Sequence, residues 1–135
     1  MNGRQSGHAN ARIAVQDAKA APYDQRVSPT LVKVTLRETF TGDIRGKSTV
    51  RALQVLHDDG SATMVSVQRF DGRLAGREGT FVLQGAQIID KGRISATWFV
   101  VPRSGTGQLK GLRGDGGFEG EFGQGSVGTL DYWFE

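Results

Sequence analysis

Leu31-Val32-Lys33-Val34-Thr35-Leu36-Arg37-Glu38-Thr39-Phe40 is the stretch that decides how this chain folds. Apolar and polar side chains alternate through it with a period of two, as in a strand with one buried and one wet face. Val32, Val34, Leu36 and Phe40 share one face, and Lys33, Thr35, Arg37 and Thr39 share the other. Glu38 breaks the pattern, because it falls on the apolar face between Leu36 and Phe40.

The same grammar extends in both directions. Thr41-Gly42-Asp43 reads as a turn, and Ile44 to His57 as a strand with a bulge or bend at Gly46. His57-Asp58-Asp59-Gly60 reads as a hairpin loop before a strand from Thr63 to Phe70. Asp71-Gly72 is the two-residue hairpin signal, so a further strand is expected from Arg73 to Gln84. Asp90-Lys91-Gly92 turns the chain into Arg93–Val101, whose end, Trp98-Phe99-Val100-Val101, is apolar on both faces and needs cover on both sides. Ser104 to Gly117 reads as a compact turn that tucks Leu109 and Leu112 under the sheet. Gly117–Phe122 and Val127–Phe134 form a last hairpin across Gly123-Gln124-Gly125. His8 to Ala21 is compatible with helix or strand; Arg12–Asp17, taken as a strand, raises the count from seven to eight.

Turns at this spacing, with no amphipathic helix between them, predict an all-β fold: an antiparallel meander barrel or sandwich with no long helix. Eight strands just close around side chains or one small ligand. The expectation is a disordered tail over residues 1–7 and a single barrel domain over 8–135. The 20 glycines, ten of them after Pro102, suit tight turns and a strongly bent sheet.

Composition excludes several classes. The chain has 135 residues and no cysteine, which removes disulfides and thiolate metal sites. Its formal charge is only +3, with bases scattered singly, so nucleic acid is not an expected partner. No apolar run approaches a membrane span, and Met1-Asn2-Gly3-Arg4-Gln5 starts no secretory signal, so cytoplasm is expected and membrane association is not. His8 and His57 lack ligand spacing, so no metal or other cofactor is expected. Gly105-Thr106-Gly107-Gln108-Leu109-Lys110-Gly111 lacks the Lys-Ser/Thr step and the helix of a phosphate loop and reads as a structural turn.

Candidate site residues follow from polar groups set in apolar strands. Glu38 and Glu78 are the acid–base candidates. Gln54, Gln68 and Gln84 interrupt apolar strands and face either a lumen or solvent. The aromatics Trp98, Phe118, Phe122, Tyr132 and Phe134 suit a core. For a barrel with an open lumen, the expected wall set is Glu38, Gln54, Gln68, Trp98 and Tyr132, around a small, mostly apolar ligand. The doubly apolar Trp98–Val101 segment points to a homo-oligomer.

Phe40-Thr41-Gly42-Asp43-Ile44-Arg45-Gly46, Asp58-Asp59-Gly60-Ser61-Ala62 and Arg69-Phe70-Asp71-Gly72-Arg73-Leu74-Ala75-Gly76-Arg77-Glu78-Gly79-Thr80-Phe81-Val82-Leu83-Gln84 together resemble a set of small bacterial proteins, domain-of-unknown-function family 3224. Thr97-Trp98-Phe99-Val100-Val101-Pro102, Leu109-Lys110-Gly111-Leu112-Arg113-Gly114 and Thr129-Leu130-Asp131-Tyr132 carry the resemblance to the end of the chain, and Pro22-Tyr23-Asp24 to its start. The resemblance implies an eight-stranded barrel similar to allene oxide cyclase, calycin-like in its meander, with Arg12–Asp17 as first strand. It implies no established reaction. Members often carry a tryptophan before the Pro-Tyr-Asp segment and a histidine after the Phe-Val-Leu-Gln run; here Asp17-Ala18-Lys19 and Gly85 stand in those places. The expected function is to hold a small, mostly apolar molecule in the lumen without established chemistry. The alternative is a cyclase or isomerase that acts by confining its substrate.

Overall fold

The computed structural model describes residues 5–121 and 124–135. The strands are β1 (Ser6–Asp24), β2 (Thr30–Gly42), β3 (Ile44–Leu56), β4 (Ala62–Leu74), β5 (Arg77–Asp90), β6 (Arg93–Val100), β7 (Leu112–Glu121) and β8 (Ser126–Phe134). They form a closed barrel in chain order, each antiparallel to its neighbours, with β8 returning to β1. The one helical element among the described residues is a three-residue 3-10 turn, Gly107–Leu109, in the β6–β7 connection. Among the described residues no helix is long and apolar enough to cross a membrane.

The quoted stretch lies in β2 with the expected faces: Val32, Val34 and Phe40 are buried, while Lys33 and Arg37 are exposed. Two turns fall elsewhere than expected. The one read over Ser104 to Gly117 ends at Gly111, because Leu112–Glu121 is strand. Asp71 and Gly72 lie inside β4, and the hairpin turns at Ala75 and Gly76, both with positive φ, as the favoured two-residue turn requires. Register is the physical reason. A turn at Asp71-Gly72 would set Phe70 opposite Arg73 and bring Arg73 inside, whereas the observed turn pairs Phe70 with Phe81. At the N-terminus, Ser6 and Gly7 are not tail but strand, paired with Trp133 and Tyr132, because β8 needs a partner to close the barrel. Residues 1–4 of the expected tail, and Phe122 and Gly123 of the last hairpin, lie outside the described residues. Gly46 forms no bulge, since the β2–β3 register runs unbroken; the register shifts lie in β1, at Val15/Asp17 and Pro22/Asp24.

Aromatic packing fills one end of the barrel interior, and a smaller cluster of Val32, Val34 and Ala52 lies toward the other. Phe40, Phe70, Phe81, Trp98, Leu109 and Leu112 belong to one packed cluster, at the end bearing the β2–β3, β4–β5 and β6–β7 connections. Phe70 meets Phe40 edge-on at 5.4 Å between centroids and Phe81 at 4.9 Å, spacings favourable for aromatic pairs. Beside them Gly46 and Gly72 face each other across β3–β4. A Cβ on either would strike the opposing backbone carbonyl, of Asp71 or Arg45, and would lie 3.0 Å from the Phe70 ring tip. Only a glycine pair lets the strands approach this closely under that ring.

The β6–β7 connection completes this end. β6 stops at Val100, which leaves the first residues of β5 without a strand partner on that side. Their amides are met instead by Thr106 Oγ1, 3.0 Å from Thr80 N, and Ser104 Oγ, 3.0 Å from Val82 N, so these backbone donors stay paired. Leu109 and Leu112 are fully buried beneath, as the leucine pair in the sequence predicts.

The two faces of β4 provide a test. Phe70→Ala empties the packed end and is expected to cost about 3–5 kcal/mol. Arg69→Ala, at an exposed position on the opposite face, is expected to stay within about 0.5 kcal/mol. Urea unfolding of both variants checks this.

Candidate functional site

The other half of the lumen is hollow. A cavity of about 420 Å³ opens toward the β1–β2, β3–β4 and β5–β6 connections, within the range of about 300–1,000 Å³ typical of small-molecule sites. The hollow has a sequence cause. The cross-strand pair Ala52–Ser66 on the inner face puts two small side chains into the hollow, where the row nearer the packed end carries Phe70 and Phe81. The wall is largely apolar: Val34, Leu36 and Val50 on β2 and β3, Met64 on β4, Phe118 on β7.

Polar groups gather where the hollow meets the aromatic packing. Glu38 stands opposite Ser48, in the same cross-strand row as Phe70 and Phe81, so it forms part of the cavity floor. The Ser48 hydroxyl donates to Gln68 Oε1 at 2.5 Å, and Gln87 Nε2 donates to Ser66 Oγ at 2.6 Å. Each serine–glutamine pair closes one buried hydrogen bond. Gln87 Oε1 is buried and without a partner among the described residues. Glu38 has neither an ion pair nor a side-chain hydrogen bond among them. Lys19 and Glu121 supply charge at the rim.

The five expected wall residues divide. Glu38, Gln54 and Gln68 line the cavity together. Trp98 and Tyr132 do not; both belong to the packed end. The Trp98 indole lies over Gly128 and donates its N–H to the Thr129 carbonyl at 2.9 Å, and the Tyr132 ring packs edge-on to Phe134 at 6.0 Å. Both side chains point inward, but their height along the barrel axis puts them below the floor. Of the remaining candidates, Glu78 is exposed and paired with Arg73 at 3.2 Å, and Gln84 faces outward. His8 bonds Asp131 on the outside at 2.6 Å. Among the described residues no three His, Cys, Asp or Glu side chains group as metal ligands would. Ser48, Ser66 and Gln87 escape a reading of the sequence strand by strand. Alternation counted back from Phe70 and forward from Phe81 would have placed Ser66 and Gln87 on the inner face.

Burial in this apolar setting pushes the Glu38 carboxyl up from its ordinary 4.5 to about 7, because desolvation disfavours the charged form. Between those values the folded protein holds a proton that the unfolded chain has released, so stability falls as pH rises from 4.5 to 7 and is flat above. The loss is on the order of 3 kcal/mol. Glu38→Gln removes the ionisation. The variant is expected to match the parent near pH 4 and to exceed it at pH 8 by about 2–3 kcal/mol, measured by urea unfolding across the range.

The comparisons agree with this architecture. A crystal structure of a protein with unknown function from the DUF3224 family of Shewanella oneidensis MR-1 superposes with a TM-score of 0.76 at 29% identity, over 97% of this chain and 98% of that one. No curated protein matches the chain. The family described as "Protein of unknown function (DUF3224)" matches residues 9–135, and the chain belongs to it.

Proposed function

We propose that this protein holds a small, mostly apolar molecule in the open half of its barrel, with Glu38 on the cavity floor as the polar contact. One observation carries the reading: a hollow of about 420 Å³ with an apolar wall ends on a carboxyl that no described side chain engages. A carboxyl kept from water costs stability at neutral pH, and such strain gathers where function needs the group. The Ser48–Gln68 pair closes its own hydrogen bond, which leaves the Glu38 carboxyl and Gln87 Oε1 as the polar atoms a guest would meet.

The same carboxyl favours a second reading, an isomerase or cyclase that acts by confinement. A group that titrates near neutrality can take a proton from a carbon beside a carbonyl and return it elsewhere on the same molecule. Such a shift balances within the substrate and needs no cofactor. The wall would hold the chain folded for the step, which is the orientation effect that confinement supplies.

Binding and chemistry separate in one set of measurements. 1-Aminoanthracene fluorescence should rise on binding with a Kd in the micromolar range, on the order of −8 kcal/mol. Ala52→Trp, which fills the hollow, should abolish the rise while circular dichroism stays that of the parent. No binding by the parent, or binding indifferent to Ala52→Trp, would sink the first reading. For the second, conversion of cyclohex-3-enone to cyclohex-2-enone is followed by absorbance. Its kcat/KM should climb with pH to a plateau above about 7 and fall at least 100-fold in Glu38→Gln with probe binding intact. Binding without turnover leaves the protein a carrier.

A further inference from the structure

The outer face of the barrel carries a surface that the lumen does not explain. A recess of about 910 Å³ lies outside the wall, spread across β2 to β7. Leu53, Val65, Val67 and Phe99 stand in it, each between 43% and 59% exposed. Singly exposed apolar residues are ordinary; several large ones in contiguous register mark a contact surface. The patch is confined to one side. Outward positions of β2 are Lys33, Thr35 and Arg37, so no apolar girdle surrounds the barrel as it would in a lipid-facing one.

The registers order this face into two rows. One runs Lys33–Leu53–Val65–Ala86–Thr97, and the other Arg51–Val67–Gln84–Phe99–Asp115. Both begin basic on β2–β3 and pass through apolar side chains, and the second ends acidic on β7. Among the described residues Lys33 and Asp115 have no ion-pair partner, and Arg51 reaches only the Val50 carbonyl, at 3.4 Å. Asp115 also stands directly opposite Asp131 on β8; Asp131 is taken by His8 at 2.6 Å, which leaves Asp115 without a cation of its own among the described residues. Because the barrel is closed, β3 to β6 offer no free edge for an added strand, and a partner must meet the face.

We propose that this face binds a second copy of the chain across a two-fold axis near β4–β5. Rotation about that axis turns the polarity end for end. Lys33 and Arg51 of one copy then meet Asp115 of the other twice over, and Leu53, Val65, Val67 and Phe99 pack against their counterparts. A face with one basic end, an apolar middle and an acidic end is self-complementary in this way and in no parallel stacking. The inference is independent of what the lumen holds.

Sedimentation equilibrium of the full chain tests it, with circular dichroism confirming that each variant folds. The parent should be a dimer at micromolar concentration, weakening with added salt. Val67→Glu should give a monomer. Arg51→Asp and Asp115→Arg should each weaken the dimer at least tenfold, and the double variant with both changes should return to within about threefold of the parent, since the charges again oppose across the axis. A monomer at every concentration, a trimer or larger ring, a dimer indifferent to Val67→Glu, or a double variant no tighter than the single ones would each overturn the proposal.

Discussion

The aromatic packing of Phe40, Phe70, Phe81 and Trp98 across the barrel interior is the interaction on which the rest depends. An eight-stranded barrel has room inside for side chains and little else. Whether any of that room stays open is decided by side-chain volume, level by level. Where the inner rows carry phenylalanines the lumen is solid, and where they carry Ala52 and Ser66 it is hollow. The packing also sets constraints outside itself: the glycine pair Gly46 and Gly72 admits the Phe70 ring, and the β4–β5 turn sits where it does so that Phe70 meets Phe81.

Glu38 occupies the boundary between these regimes. It shares a row with the phenylalanines yet borders the cavity. That position removes water without supplying a partner, which is why its carboxyl is held near neutrality rather than in the ordinary carboxylate range. Beside it, Ser48 and Gln68 close a hydrogen bond with each other at 2.5 Å. The contrast separates a polar group that completes the core from one that remains available.

Inside and outside are two independent surfaces of the same strands. The period of two that sends Val50 and Ala52 inward sends Arg51 and Leu53 outward, so a single strand contributes to the cavity and to the charge-polarised outer face without compromise between them. The long first strand departs from this economy. It pairs with β8 only over Ser6–Ile13 and with β2 as far as Asp24, so its second half, through Val15, Ala18 and Ala20, borders the cavity mouth.

The sequence by itself determined most of the strands, their faces and the candidate acid. Alternation is a local property, read from neighbours along the chain, and Glu38 is conspicuous because it violates that alternation at one place. The β-hairpin signal at Asp71-Gly72 misleads for the complementary reason: a turn is chosen by the pairing it imposes on distant residues, and pairing Phe70 with Phe81 outweighs local turn chemistry. Only the tertiary structure decided which inward residues line a cavity and which are packed away. Trp98 and Tyr132 face the lumen as Gln54 and Gln68 do, but strand stagger sets their level, placing the aromatics in the solid end and the glutamines in the hollow. Stagger is a relation among all eight strands at closure, and no single stretch of sequence carries it.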